Sequence, residues 1–195
     1  MNLKYLILFS FACSLLIAAC QNNDYSPKPR GYFRIEFPEK EYQTFENPVP
    51  YSFRYPVYAT LEADKSRDAR KDWFNLHFKQ FNGYLHLTYY GVADKAAYDE
   101  MVEDARKLAF KHTIKASAID QKVIHYPNHK VYGIYYAIEG NTASSVQFFL
   151  TDSTRHYFRG ALYFNERPQY DSIAPVVKFI KTDIDTLIAS FRWKN

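Results

Sequence analysis

The sequence lacks a strong bias of charge. Its 25 Lys and Arg residues against 21 Asp and Glu residues give a formal net charge of +4, and no dense Lys/Arg block is present. So mild a basic balance argues against nucleic-acid binding. The signatures GxGxxG, GxxxxGK[ST], GxSxG and HExxH are also absent. No dinucleotide, P-loop, serine-hydrolase or HExxH metalloprotease site is therefore predicted.

Cysteine is almost absent, and a long apolar run is missing too. The run YLILFSFACSLL over residues 5–16 is shorter than the roughly 20 residues of a membrane span, but it has the length of a signal-peptide core. Small residues, Ala18 and Ala19, then precede Cys20, as in a bacterial lipoprotein signal. We therefore expect a signal peptide over residues 1–19, cleavage between Ala19 and Cys20, and acylation of Cys20. The alternative is an uncleaved signal anchor with an incidental cysteine.

Acylation of Cys20 would have two consequences for the mature chain. Cys13 leaves with the signal peptide, so neither a free thiol nor a disulfide remains and the core alone must hold the fold together. Residues 20–30 then form a lipid-anchored polar tether, in which Pro27 and Pro29 favour an extended chain. About ten extended residues reach roughly 30 Å, enough to lift a domain off the lipid headgroups.

Aromatic residues are abundant at 18%, with 18 Tyr and 16 Phe, and such enrichment favours strands. Apolar residues make up 47% of the chain, enough to bury a core. The order of predicted elements is strands, helix, strands, helix. We therefore expect residues 31–195 to form a single α+β domain, with a mostly antiparallel sheet of about five to six strands flanked by two amphipathic helices.

The clearest hairpin spans residues 72–91. Asn82-Gly83 predicts a two-residue type I′ turn that pairs Phe81 with Tyr84 and Lys79 with His86. Alternation then assigns one face to the core, namely Phe74, Leu76, Phe78, Leu85, Leu87 and Tyr89. The opposite face mixes aromatic rings with imidazoles, so another element should cover part of it. Its candidate interaction residues are Trp73, His77, Tyr84, His86 and Tyr90.

Other strands are predicted at residues 31–38 and 50–59 and, as a meander, at 130–140, 142–152 and 155–165. Residues 62–72 are predicted as a charged loop or short exposed helix.

Two segments have the periodicity of amphipathic helices. The first runs from about Asp94, its predicted N-cap, to His112. The second should be capped by Asp171 or Ser172 before Pro175. The predicted buried stripes are Tyr98, Met101, Val102, Ala105, Leu108, Ala109 and His112 in the first helix, and Ile173, Val176, Val177, Ile180, Ile184, Leu187, Ile188 and Phe191 in the second.

Histidines make only a weak case for a metal. His125 and His129 are separated by Pro127, so they cannot share a regular helix face, and no acid lies nearby. His77 and His86 project diagonally on one hairpin face, about 7–8 Å apart at the backbone. A third ligand is not identifiable, so structural histidines are the favoured interpretation.

No carboxylate pair stands out for acid–base chemistry either. Asp183 and Asp185 point in different directions on the second predicted helix and are interpreted as solvent-face charges. The aromatic residues could form a sugar-stacking platform, but on alternating strands they more often belong to the core. The sequence predicts no catalytic residue, no metal and no cofactor.

A family resemblance rests on a succession of segments. They are PKPRGYFRIEFPEKEY, PYSFRYPVY, WFNLHF, NGYLHLTYY, VYGIYYAIEGNTASSVQFFLTDSTRHYFRGALYF and FIKTDIDTLIASFRW. Together with the lipidation signal they resemble the gliding-motility lipoprotein GldD family of the Bacteroidetes, over essentially the whole mature chain. The resemblance implies a required envelope component of the gliding machinery, which is coupled to type IX secretion. It implies no catalytic residues.

Two classes of function follow. The first is a non-enzymatic, lipid-anchored component that binds protein partners of the gliding and secretion apparatus, faces the periplasm and binds no nucleic acid. The second is a glycan-binding or hydrolytic envelope lipoprotein that uses the Trp73, His77, Tyr84, His86 and Tyr90 face. An apolar pocket with convergent His and Tyr would favour the second class, and a tightly packed layer over these residues the first.

Overall fold

The computed structural model describes Lys4, residues 34–165 and residues 169–194. The predicted cleavage and acylation at Ala19 and Cys20 and the tether over residues 20–30 lie outside the described residues, as does the predicted signal peptide apart from Lys4. The fold below concerns residues 36 onward.

The described residues contain ten strands and two α-helices. The strands are β1 (Tyr42–Phe45), β2 (Tyr51–Pro56), β3 (Thr60–Ala63), β4 (Phe74–Phe78), β5 (Gly83–Gly91), β6 (Ala116–Tyr126), β7 (Val131–Gly140), β8 (Ser144–Thr151), β9 (His156–Phe164) and β10 (Arg192–Trp193). The helices are α1 (Lys95–Phe110) and α2 (Tyr170–Ser190), and one-turn 3₁₀ helices lie at Lys79–Phe81, Lys111–Ile114 and Pro127–His129.

The strands form two antiparallel sheets. The larger has seven strands in the order β3-β4-β5-β9-β8-β7-β6, and the smaller has three in the order β1-β2-β10. The expectation of an α+β fold with antiparallel sheets and two helices is confirmed, but the number of strands is higher than predicted. The sequence missed β1, β3, β6 and β10. Three of these have two to four residues, and β6 is a largely exposed edge strand without regular alternation.

The predicted strand over residues 31–38 is wrong where it can be seen. Residues 34–38 are not in a strand, and the first strand begins at Tyr42. Pro38 has no N–H to offer to a sheet. The ring of Phe37 instead stacks on Phe179 of α2, with 4.4 Å between ring centroids. An apolar residue in an alternating segment here packs on a helix and not in a sheet.

The hairpin β4–β5 forms, but with a different turn. Phe78 faces Gly83, and His86 faces Asn75 rather than Lys79, a shift of four residues from the predicted register. Asn82 has a φ of 48°, whereas Gly83 is not in the left-handed region that a type I′ turn requires. A Cβ on Gly83 would lie 3.0 Å from the ring of Phe164 on β9, so close packing explains this glycine. Because the shift is even, the two faces are as predicted.

Helix α1 packs on one face of the large sheet. The side chain of Asp94 accepts a hydrogen bond from the N–H of Ala97 at 2.8 Å, the predicted N-cap. Ala105 packs with Phe149 and Tyr157, while Ala109 packs with Tyr136 and Ile138. The α-helix ends at Phe110, two residues before the predicted end. Of the predicted buried stripe, only Ala105 and Ala109 are buried, and Leu108 is 36% exposed. The other members are partly buried, namely Tyr98, Met101, Val102 and His112.

The opposite face of the large sheet carries the main core, covered by α2 and the small sheet. All six residues of the predicted core face of the hairpin are buried. Tyr51 of β2 packs edge-on against Phe158 of β9, with centroids 4.8 Å apart, and Phe158 lies 4.9 Å from Phe191. Helix α2 is preceded by Gln169 and not by the predicted caps Asp171 or Ser172. In the part of the chain that the structure describes, the Gln169 side chain makes no capping hydrogen bond, and the N–H of Tyr170 donates instead to Oδ1 of Asn141 at 2.8 Å.

Candidate functional site

The candidate interaction residues lie together on the α1 side of the large sheet. Trp73 directly precedes β4, His77 is in β4, and Tyr84, His86 and Tyr90 are in β5. Each is half-buried and alternates with fully buried core residues. Alternation along the two strands places all five on one face, as the sequence predicts.

Three of these residues form a ladder of rings across the sheet. His77 and Tyr84 stack with centroids 4.0 Å apart and an interplanar angle of 12°. Tyr84 lies 6.1 Å from His86, which lies 5.5 Å from Tyr163 of β9. The ladder, defined by His77, Tyr84, His86 and Tyr163, crosses β4, β5 and β9. The His77–Tyr84 and His86–Tyr163 pairs are cross-strand contacts, which stabilise a sheet, whereas Tyr84 and His86 are neighbours on one face of β5.

Both imidazoles of the ladder are engaged with neighbours in the sheet. Nδ1 of His86 lies 2.6 Å from Oδ1 of Asn75, and Nδ1 of His77 lies 3.3 Å from Oε1 of Glu62. Burial lowers the pKa of His86, and Arg159 adds to this, although the charge of Asp64 opposes it. The lowered pKa favours the neutral form of the His86 imidazole. A neutral imidazole bonded within its own sheet serves packing.

Trp73 and Tyr90 form a second aromatic pair, nearer to α1. Their centroids are 5.3 Å apart at 61°, and the guanidinium of Arg70 lies 5.0 Å from the centroid of Tyr90. The indole N–H of Trp73 donates to the carbonyl of Tyr89 at 2.8 Å. Cation–π and edge-to-face contacts of this kind fix the orientation of both rings.

A groove of 320 Å³ separates this pair from α1. Met101, Ala105 and Leu108 of α1 give it an apolar wall, and Asp104 and Arg159 add charge. Its lining comprises Trp73, Thr88, Tyr90, Met101, Asp104, Ala105, Leu108, Tyr157 and Arg159. The structure thus divides the predicted face into two parts. Trp73 and Tyr90 line the groove beside α1, whereas His77, Tyr84 and His86 belong to the ladder.

A row of polar side chains joins the 3₁₀ helix that follows α1 to the sheet. The side chain of Gln147, only 3% exposed, lies 3.1 Å from Nε2 of His112 and accepts from Nη2 of Arg159 at 2.8 Å. Burial lowers the pKa of His112, and the charge of Arg159 adds to this effect. These contacts connect the segment after α1 to β8 and β9.

A second cluster was missed by the sequence analysis. Asp183 is 2% exposed, so its interpretation as a solvent-face charge is wrong, while Asp185 is exposed as expected. The carboxylate of Asp183 accepts hydrogen bonds from Lys40 at 2.7 Å, from Tyr42 at 3.0 Å and from Tyr58. Its position three residues after Ile180 and four before Leu187 places it on the apolar stripe, and this spacing is the signal that could have found it.

The environment of this cluster shifts its titratable groups. Burial lowers the pKa of Lys40, against the opposing effect of Asp183, and Nζ of Lys40 lies 3.2 Å from the centroid of Phe179. Burial raises the pKa of Tyr58, and the hydrogen bond and charge of Asp183 raise it further. The hydrogen bond from Lys40 to Asp183 joins the segment before β1 to α2.

The histidines examined as metal ligands do not assemble. His125 lies on β6 beside Tyr132, with centroids 5.4 Å apart, and His129 ends a one-turn 3₁₀ helix. Among the described residues, no three His, Cys, Asp or Glu side chains are grouped so that they could hold a metal ion. In the same part of the chain, neither helix has the length and apolar character needed to cross a membrane.

The fold and this face define an α+β domain with a half-exposed aromatic surface beside a helix. Residues 22–193 match the sequence model of a family described as gliding motility lipoprotein GldD. The chain therefore belongs to the gliding motility lipoprotein GldD family, as its segments predicted. Membership supports a role in gliding motility and an association with the cell envelope.

No curated protein sequence matches the chain significantly. Among solved structures, the chain is similar to the solution structure of cyanobacterial PsbP (CyanoP) from Synechocystis sp. PCC 6803. The match has 11% sequence identity and a TM-score of 0.47, and it covers 80% of this chain and 94% of the other.

Proposed function

We propose that this chain is a non-enzymatic, lipid-anchored envelope protein that acts in assembly or stability of the gliding and type IX secretion machinery. The match to the gliding motility lipoprotein family over residues 22–193 carries the proposal. The domain, over residues 31–195, faces the periplasm and is joined by the tether of residues 20–30 to an acylated Cys20. Its partners are protein components of that machinery.

The state of the titratable groups supports binding over catalysis. A general base needs a lone pair directed at a substrate. In the described residues, the carboxylate of Asp183 accepts hydrogen bonds from Lys40, Tyr42 and Tyr58, so its lone pairs are used within the fold. These groups serve the fold.

The anchor is tested by Cys20→Ala. Removal of the thiol should prevent acylation and leave an uncleaved or mislocalised precursor, because three acyl chains supply the stable membrane attachment, at roughly 0.8 kcal/mol per buried CH₂. Mass spectrometry of the mature wild-type protein should find acylated Cys20 at the N-terminus. An unmodified Cys20 on that chain would refute the anchor.

The absence of catalysis is tested by replacing His77, His86, His125 and His129 together by Gln. Glutamine retains size and hydrogen bonding but cannot titrate. Cells with this variant should glide largely as wild type does, whereas deletion of the protein should stop gliding. The variant must be as abundant and as folded as wild type. If it is and the cells cannot glide, a histidine site is required. Affinity isolation from membranes would identify the protein partners.

The groove favours one second candidate, a glycan-binding lipoprotein. Trp73 and Tyr90 offer ring faces, and Asp104 and Arg159 offer polar groups within the same 320 Å³. Isothermal titration of the wild-type protein with soluble peptidoglycan fragments distinguishes the two proposals. If the protein binds only other proteins, titration with the peptidoglycan fragments should give no saturable heat of binding. Glycan binding predicts saturation that Tyr90→Leu weakens about tenfold, since stacking on the ring is lost.

A further inference from the structure

Strand β6 presents a long free edge. It has 11 residues, and among the described strands it pairs with β7 alone. In an antiparallel sheet, alternate residues of an edge strand direct their N–H and C=O groups away from the neighbouring strand. Such a row is a template for another strand. The other edge of the sheet, β3, has only 4 residues.

This edge carries few of the features that block pairing. It contains no proline, and its register is irregular only between Ala116 and Ala118, so Ala118–Ile124 is a regular strand. Val123 is 74% exposed. Lys122 is the sole lysine in this segment, and lysine commonly protects an edge. Whether it does so here depends on the residue that faces it.

We propose that β6 pairs with β6 of a second copy of this chain, antiparallel, about a twofold axis through Gln121. In this register, Asp120 of each copy faces Lys122 of the other, so two opposite-charge pairs form. Ile119 faces Val123, and this contact removes the exposed side chain of Val123 from water. Ala118 faces Ile124. Opposite charges and apolar pairs in directly facing positions stabilise antiparallel strands.

The neighbouring registers are disfavoured by charge. A twofold axis that relates antiparallel edge strands is perpendicular to the sheet, so each residue faces one from the same side of the sheet. The axis must therefore pass through a residue. Passing through Asp120 would place two aspartates opposite each other, and passing through Lys122 would do the same with two lysines. Like charges in facing positions destabilise a pair. Of these three centres, Gln121 is the one that avoids both, and it also places opposite charges in facing positions.

The side of β6 that faces α2 has room for a side chain of the partner strand. A groove of 420 Å³ runs between β6 and α2. Lys122 and Ile124 line it from the strand, and Asp185 and Ile188 line it from the helix. The small side chain of Ala118 from the second copy would lie beside Ile124 at the rim of this groove. The combined sheet would continue without a break through both copies.

Disulfide formation in cell envelopes tests the register with the full chain. Facing Cα atoms in an antiparallel pair are about 4.5–5.5 Å apart, within the range that a disulfide bridges. Gln121→Cys should therefore cross-link two copies when an oxidant is added. Lys122→Cys is the matched control, since its two Cα atoms would be about 7–8 Å apart. The wild-type chain, with Cys13 and Cys20 alone, should give no such product.

Charge reversal tests the same register independently. Asp120→Lys or Lys122→Asp, each added to Gln121→Cys, should lower the cross-linked fraction roughly tenfold by placing like charges opposite each other. The double reversal should restore it. Both side chains are exposed, and melting temperatures would verify that each variant folds. Cross-linking to a different protein, or none from a Gln121→Cys chain that a maleimide labels, would overturn the proposal.

Discussion

Nζ of Lys40 lies 2.7 Å from Oδ1 of Asp183, across 143 residues of sequence. The contact joins the segment before β1 to the middle of α2. Tyr42 and Tyr58 add two further donors to the same carboxylate. A buried charge held by several groups is costly to disturb, because removal of one partner leaves the others without compensation.

Asp183→Asn should therefore destabilise the domain by about 3 kcal/mol, since Lys40 loses its counter-charge and one tyrosine faces an amide N–H₂. Asp185→Asn, on the exposed side of the same helix, should change the free energy of unfolding by less than about 0.5 kcal/mol. Urea unfolding of both variants measures the difference. Equal changes in the free energy of unfolding would mean that the buried Asp183 cluster stabilises the domain no more than the exposed Asp185 does.

Acid stability should depend on Asp152, in the turn between β8 and β9. Burial raises the pKa of this carboxyl, but backbone N–H groups of Arg155, Thr154 and His156, together with the Thr154 hydroxyl, lower it from 3.8 to about 2. A lowered pKa in the folded state means that the stabilisation is present above about pH 4 and is lost as the pH falls through about 2.

Asp152→Asn should lower the melting temperature at neutral pH, because the amide oxygen can accept the backbone hydrogen bonds only without charge and the amide N–H₂ cannot accept from the Thr154 hydroxyl. It should also reduce the fall in melting temperature between about pH 4 and pH 2, the range in which wild-type Asp152 is protonated. Melting curves at several pH values test this. Asp68→Asn, in an exposed loop, is the control, and an acid profile as steep in Asp152→Asn as in wild type would contradict the prediction.

Gly133 of β7 should not tolerate a side chain. An added Cβ would overlap the carbonyl oxygen of Phe149 on β8. Backbone atoms of a central strand cannot move aside cheaply, so Gly133→Ala should cost about 3 kcal/mol. Gly91→Ala is the matched control, because no atom of the described residues lies within 4 Å of its added Cβ. A free energy of unfolding equally affected by both changes would show that β7 and β8 approach less closely.

The two faces of β5 should respond differently to one added charge. Leu87 is 1% exposed, and Leu87→Asp would bury a carboxylate without a partner, at a cost on the order of 4 kcal/mol. Thr88 faces Arg159 on β9. Thr88→Asp should therefore cost less than about 1 kcal/mol. Similar losses of melting temperature in both variants would exclude this assignment of the faces.

Local sequence patterns predicted the faces of the hairpin, the N-cap of α1 and the composition of the candidate face. Strand alternation and helix capping depend on residues a few positions apart, so they can be read without the fold. An error of four residues in the hairpin register left both faces unchanged, because side chains alternate with a period of two. The family was likewise recognisable from successive segments.

The turn at Gly83, the burial of Asp183 and the formation of β6 depend on residues that are distant in sequence. Only the tertiary structure decided them. The ring of Phe164, which is far from Gly83 in sequence, packs so close to Gly83 that a side chain there would collide with it. The stripe of α2 permits Asp183 to be buried, but Lys40, Tyr42 and Tyr58 supply the bonds that make its burial stable. Strand β6 has almost no alternation and is a strand because β7 pairs with it over its length. Local periodicity encodes which side of an element is apolar, while pairing between distant segments decides what each side contacts.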